Sequence, residues 1–116
     1  MTLPEFYIKI GGDYSNVMSM LMTEQRIKKY LVKLTANTDY DALGKNLAAG
    51  EYKDAFRNSH SLKGMCLNLG LGRLADSACA LCEALRKEEI VDDIDSHYLR
   101  VQADYAEVLA AISEIE

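Results

Sequence analysis

The chain has 116 residues, 49% of them hydrophobic and 27% charged, with a formal net charge of −5 at pH 7. That is the size of one domain able to bury a core, and a single domain over residues 1–116 is expected. The negative balance argues against a primary nucleic-acid binder, which needs a basic face to displace counterions, and no uncharged apolar run approaches the roughly 20 residues of a membrane span.

The opening "MTLPEFYIKIGG" lacks the basic and long apolar regions of a secretion signal. "PEFYIKI" suits a short first helix with Pro4 in its first turn, ended by Gly11-Gly12. Asp13 is a natural N-cap for "YSNVMSMLM". One continuous helix to Leu34 would place Glu24 amid Val17, Met20, Leu21, Ile27 and Leu31. With Thr23 as a second cap, Glu24 instead falls in a first turn, where unpaired amides and the helix dipole favour an acid. The chain is therefore expected to break near Thr23, and the new helix to bury Ile27, Leu31 and Leu34.

Asn37-Thr38 reads as a turn, with Thr38 starting a short helix through Leu43 and Leu47 to Gly50. A longer helix is expected from Glu51 to Leu69. Gly70-Leu71-Gly72 is the clearest break, able to supply a C-cap and a tight reversal. A helix of roughly Leu71 to Lys87 follows, with Leu71, Leu74, Ala78, Cys82 and Leu85 on one stripe. "RKEE" reads as a solvated helix end and "VDDID" as a turn. The last helix runs Ile94, Tyr98, Val101, Tyr105, Val108, Ile112, Ile115, a seam for packing on other helices. The expected fold is all-α: an antiparallel four-helix bundle, up-down-up-down, with additional short N-terminal helices.

The Glu51–Leu69 segment carries "RNSHSLKGMCLNLG", Arg57 to Gly70. At about 100° per residue, Ala55, Ser59, Leu62, Cys66 and Leu69 fall within about 40° of one direction, while His60 lies about 140° away and faces solvent. Arg57 and Phe56 precede His60 by three and four residues, and Lys63 and Gly64 follow it by three and four, so all four share its face. Lys53 and Leu67 lie one turn further out. A mid-helix glycine costs roughly 1 kcal/mol relative to alanine. Gly64 packs nothing inward, so it clears space beside the imidazole for something large. Lys63 and Arg57 place cations there, which favour a neutral nucleophilic ring and would stabilise an anion attached to it. Phe56 and Leu67 flank the face as apolar patches for a partner. This combination suits reversible phosphorylation of a histidine nitrogen. No Gly-rich phosphate loop, Walker-type lysine or acidic metal cluster accompanies His60, so the domain is expected to carry a phosphoryl group without turning over a nucleotide.

"SHSLKGMCLNLG" resembles the signature of histidine-containing phosphotransfer (HPt) domains of bacterial two-component phosphorelays: a small residue, then H-x-L-K-G, then an apolar-Gly pair. Here these are Ser59, His60, Leu62, Lys63, Gly64, Leu69 and Gly70. "LADSACALCEAL" also resembles that family's next helix, and "GEYKDAF" its approach to the histidine; the likeness is tightest over about Gly50 to Arg86. It implies a four-helix bundle core and an Asp-to-His-to-Asp relay, with His60 as phosphoacceptor, Lys63 steadying the phosphoryl group and Gly64 admitting a receiver domain. Lys53, Phe56, Arg57 and Leu67 would belong to the docking face. The partners implied are a response-regulator receiver domain and a hybrid sensor histidine kinase. The receiver would bring its aspartate, a lysine and Mg²⁺, and this chain would bind no cofactor or metal of its own. Where the family has alanine before the histidine, this chain has Ser59. Some relatives orient the acceptor ring with a Gln, Glu or His on the next helix, and the matching turns here hold Cys79 and Cys82, with Glu83 adjacent.

Other readings compete. Cys79-x-x-Cys82 suggests zinc or redox chemistry, but zinc needs two more ligands and only Cys66, His60 and His97 remain. Cysteines inside a helical stripe behave as small apolar residues, and an odd number suits reduced thiols in a cytoplasmic protein. His97 reads as a surface or helix-start residue. The alternative to a phosphocarrier is a non-catalytic helical adaptor with a silent His60, and a histidine-dependent hydrolase ranks below it. A free-standing protein is expected, since the chain begins at Met1 without a linker, and a monomer is expected because the transfer chemistry needs no more.

Overall fold

Caps set the starts of the first four helices in the computed structural model, which describes residues 1–116. Thr2 and Glu5 form a reciprocal capping box that opens α1 (Leu3–Lys9). The Asp13 side chain accepts from the Asn16 amide to open α2 (Tyr14–Leu21), and Thr23 accepts from the Arg26 amide to open α3 (Glu24–Thr35). The break at Thr23 is where the misplacement of Glu24 put it, and Ile27, Leu31 and Leu34 are all buried. Asn37, one residue before the expected Thr38, caps α4 (Thr38–Ala48) by accepting from the Tyr40 amide. At 11 residues this helix is not short but a full member of the fold.

Three longer helices follow: α5 (Tyr52–Asn68), α6 (Gly72–Arg86) and α7 (Val91–Ile112). The last one corrects the expectation for "VDDID", which is helix rather than turn. Asp92 and Asp93 lie in its first turn, where acids meet the positive end of the dipole. Residues polar enough to resemble a loop are therefore good helix starters here. His97 consequently lies well inside α7 and is half-buried, rather than at the helix start. Ile115 falls beyond the helix end, yet still packs on the core.

Helices α4, α5, α6 and α7 pack in sequence, each on the next, and α1 and α3 also touch α7. The buried cluster draws side chains from all seven helices, among them Phe6, Val17, Ile27, Leu43, Leu62, Leu81 and Val101. The hydroxyl of Tyr105 donates to the Leu34 carbonyl at 2.6 Å, and its ring stacks on Tyr40 at 3.7 Å, joining α7 to α3 and α4. Buried Ser59 and Ser77 donate to the carbonyls of Phe56 and Leu74, so neither hydroxyl is left unpaired.

The α5–α6 connection is tied to the start of the chain. Gly70, at φ +63°, ends α5: its amide bonds to the Leu67 carbonyl and the Leu71 amide to the Cys66 carbonyl, a Schellman closure that favours glycine. The Gly70 carbonyl accepts from the Asp13 amide at 3.1 Å, and buried Tyr7 donates its hydroxyl to the Leu69 carbonyl at 2.7 Å. A Cβ on Gly72 would lie 1.5 Å from the Gly11 carbonyl oxygen. Only backbone fits between these two loops.

Candidate functional site

Helix α5 divides sharply by face. Ala55, Ser59, Leu62 and Cys66 are each 0–1% exposed, and Leu69 just beyond the helix is also buried. His60 is exposed on the opposite side, and no helix crosses over it. Around it, Lys63 and Gly64 are half-buried, Phe56 is half-buried against the core, and Lys53, Arg57 and Leu67 are exposed.

The two flanks of His60 differ. On its N-terminal side the imidazole lies near-parallel to the Phe56 ring, with centroids 6.2 Å apart and planes 20° apart. On its C-terminal side a Cβ built on Gly64 would meet nothing within 4 Å. Helical side chains lean toward the N-terminus, over the preceding turn. Any side chain at position 64 would therefore lean back over His60. The glycine keeps clear the space that its own substituent would fill.

Charge is arranged less simply than spacing suggested. The Arg57 guanidinium turns back to Asp54, 3.4 Å away, in an exposed pair within α5. Lys63 makes no ion pair. Its charge is felt by the half-buried Cys79 thiol of α6, whose value it lowers. Burial outweighs that effect and holds this thiol above its ordinary value. Cys66 and Cys82 are buried free thiols, and burial pushes Cys66 up to about 12, as expected of an inert packing residue. Glu83 does not orient His60: its carboxylate is bound to Arg86, with Lys87 at 3.5 Å, and these contacts hold it down at about 2. The side-chain hydrogen bonds of α5 involve Asp54, Arg57, Asn58, Ser59 and Met65, and none involves the His60 ring.

Grooves flank the site. Lys53, Phe56 and Arg57, grouped by sequence as docking residues, share one of about 380 Å³ with Leu85 and Arg86. Leu67 is not part of it and stands alone as an exposed apolar side chain. A larger groove of about 770 Å³ runs along the other side, from Ser61, Gly64 and Asn68 on α5 to Met20 on α2 and Tyr30 and Lys33 on α3. Sequence reasoning missed its α2 and α3 wall. Met20 and Tyr30, 50% and 41% exposed, are large apolar side chains off the buried stripes of their helices, the one local sign of such a surface.

No helix is long and apolar enough to cross a membrane. A family model described as Hpt domain matches residues 31–112, from within α3 to the end of α7. Searches of curated proteins and of solved structures returned no match.

Proposed function

Because the chain belongs to the Hpt domain family, whose members carry phosphoryl groups between receiver domains and kinases in two-component signalling and are not themselves catalysts, we propose that it relays phosphate through His60. The observation that supports this best is an exposed imidazole on the outer face of α5 beside an empty flank at Gly64. A neutral imidazole nitrogen attacks the phosphorus of a receiver's aspartyl phosphate. The P–N bond forms as the bond to the aspartate oxygen breaks, and the carboxylate leaves. The reverse step passes the group to a second aspartate. Lys63, with no carboxylate of its own to satisfy, balances charge on the phosphoryl oxygens. Gly64 admits the receiver, which brings its aspartate, a lysine and Mg²⁺, so that transfer is close to in line. Lys53, Phe56, Arg57 and Leu67 contribute to docking.

The framework in this reading is an up-down-up-down bundle of α4 to α7. Its connections, Ala49–Glu51, Leu69–Leu71 and Lys87–Ile90, are short enough that packed neighbours reverse direction. The whole chain acts as one domain, and a cytoplasmic monomer suffices.

The test is incubation with phosphorylated receiver domains. Wild type is expected to take up an acid-labile, base-stable phosphate and His60→Gln to take up none. Equal labelling of both proteins would exclude His60, and no labelling by any receiver would leave a helical adaptor.

A further inference from the structure

The relay chemistry needs an oriented ring, yet no hydrogen bond within the chain orients this one. Glu83, the carboxylate nearest in sequence to the matching turns of α6, is committed to Arg86 and Lys87, and Cys79 carries a thiol that burial keeps protonated. An imidazole on a free helix surface turns readily about χ2, a broad and weakly restrained torsion. Phe56 is the ring that lies against it. It stands one turn before His60, its ring is half-buried against the core, and the imidazole lies over it at 6.2 Å with planes 20° apart. That separation and tilt fall in the range of offset aromatic stacking.

We propose that Phe56 is a positioning residue for His60. It acts as a fixed plate that sets the plane of the imidazole, so that a nitrogen edge stays presented toward the cleared side of α5. This takes a residue first grouped with the docking face and gives it a role before any partner arrives. The inference rests on His60 being the phosphoacceptor.

A donor too small to dock separates positioning from docking. Phosphoramidate serves: an imidazole nitrogen attacks its phosphorus, the donor P–N bond breaks, and ammonia leaves with the electron pair. Phe56→Leu keeps an apolar side chain in the core contact and removes the plate, whereas Phe56→Tyr keeps the plate. Phosphorylation of His60 by phosphoramidate is expected to slow about two- to tenfold in Phe56→Leu, the rate equivalent of one aromatic pair, and to recover in Phe56→Tyr. In parallel, the His60 ring protons in NMR spectra are expected to show a ring-current displacement that disappears in Phe56→Leu and persists in Phe56→Tyr. Should Phe56→Leu not fold, the wild-type ring protons decide: His60 shifts equal to those of an unstructured histidine overturn the proposal. Unchanged shifts and rate in Phe56→Leu overturn it too, as does an equal loss in both variants. Failure of receiver domains to label His60, with the phosphoramidate and NMR results as expected, overturns the relay but leaves the positioning role standing.

Discussion

The two faces of α5 obey different rules. Its inner face, Ala55, Ser59, Leu62 and Cys66, is almost fully excluded from water, and each residue is what close packing against α4 and α6 requires. Its outer face holds an exposed imidazole, an unpaired lysine and a glycine with nothing beside it. A glycine weakens a helix interior by roughly 1 kcal/mol relative to alanine, and nothing in the packing of α5 offsets that. The inner face explains why the helix exists. The outer face has no such packing reason, and the proposed relay would give it one.

That contrast can be broken from either side. Leu62→Ala should have the largest effect on stability, about 2–5 kcal/mol for a truncated core leucine. It should be read as a lowered midpoint in urea unfolding, with phosphoryl uptake per folded molecule unchanged. Gly64→Gln should do the reverse. The unfolding midpoint should hold or rise, since glutamine is the better helix former, while transfer from a receiver falls about 10²-fold, as expected when reacting groups are held off by an ångström or more. Lys63→Gln should slow transfer about tenfold through loss of one charge-assisted contact. Arg57→Gln removes a more exposed cation that turns toward Asp54 and should change it far less, and measuring the pair side by side ranks the two cations.

The last effect concerns pH and is confined to alkaline solution. Burial lifts the Cys66 thiol from 9.0 to about 12 and is the main cause lifting the Tyr105 phenol from 10.0 to about 12. Both groups hold their protons more tightly folded than unfolded. Their contribution is complete below about pH 9, and it is lost as pH rises through 9–10 toward 12. Urea midpoints between pH 8 and pH 12 should fall over that window, and alkylation at pH 8 should mark half-buried Cys79 well before Cys66.

Much of this was legible in the sequence because it is periodic or local. The stripe Ala55–Leu69 follows the helical repeat, and the break at Thr23 follows from Glu24 having no acceptable place in a continuous helix. The start of α7 was misread because Asp92 and Asp93 suit a turn and a helix's first turn equally well. The groove wall of Met20, Tyr30 and Lys33 was invisible for a different reason: α2 and α3 meet α5 only through the tertiary fold, and no spacing within one helix encodes that meeting. The Arg57–Asp54 pair and the Phe56–His60 stack lie between, three and four residues apart. Spacing permits both contacts, but only the folded rotamers show that they are made.

The backbone seam between Gly11-Gly12 and Gly70–Gly72 means that the family's borders are not the molecule's seams. The loop that closes the histidine helix is plugged from outside residues 31–112, by the Tyr7 hydroxyl on the Leu69 carbonyl and by the Asp13 amide on the Gly70 carbonyl. A fragment trimmed to the matched residues would leave two carbonyls without their partners and strip the lid of Phe6, Tyr7 and Val17 from the shared core. The first thirty residues are structural mortar for the segment that carries His60.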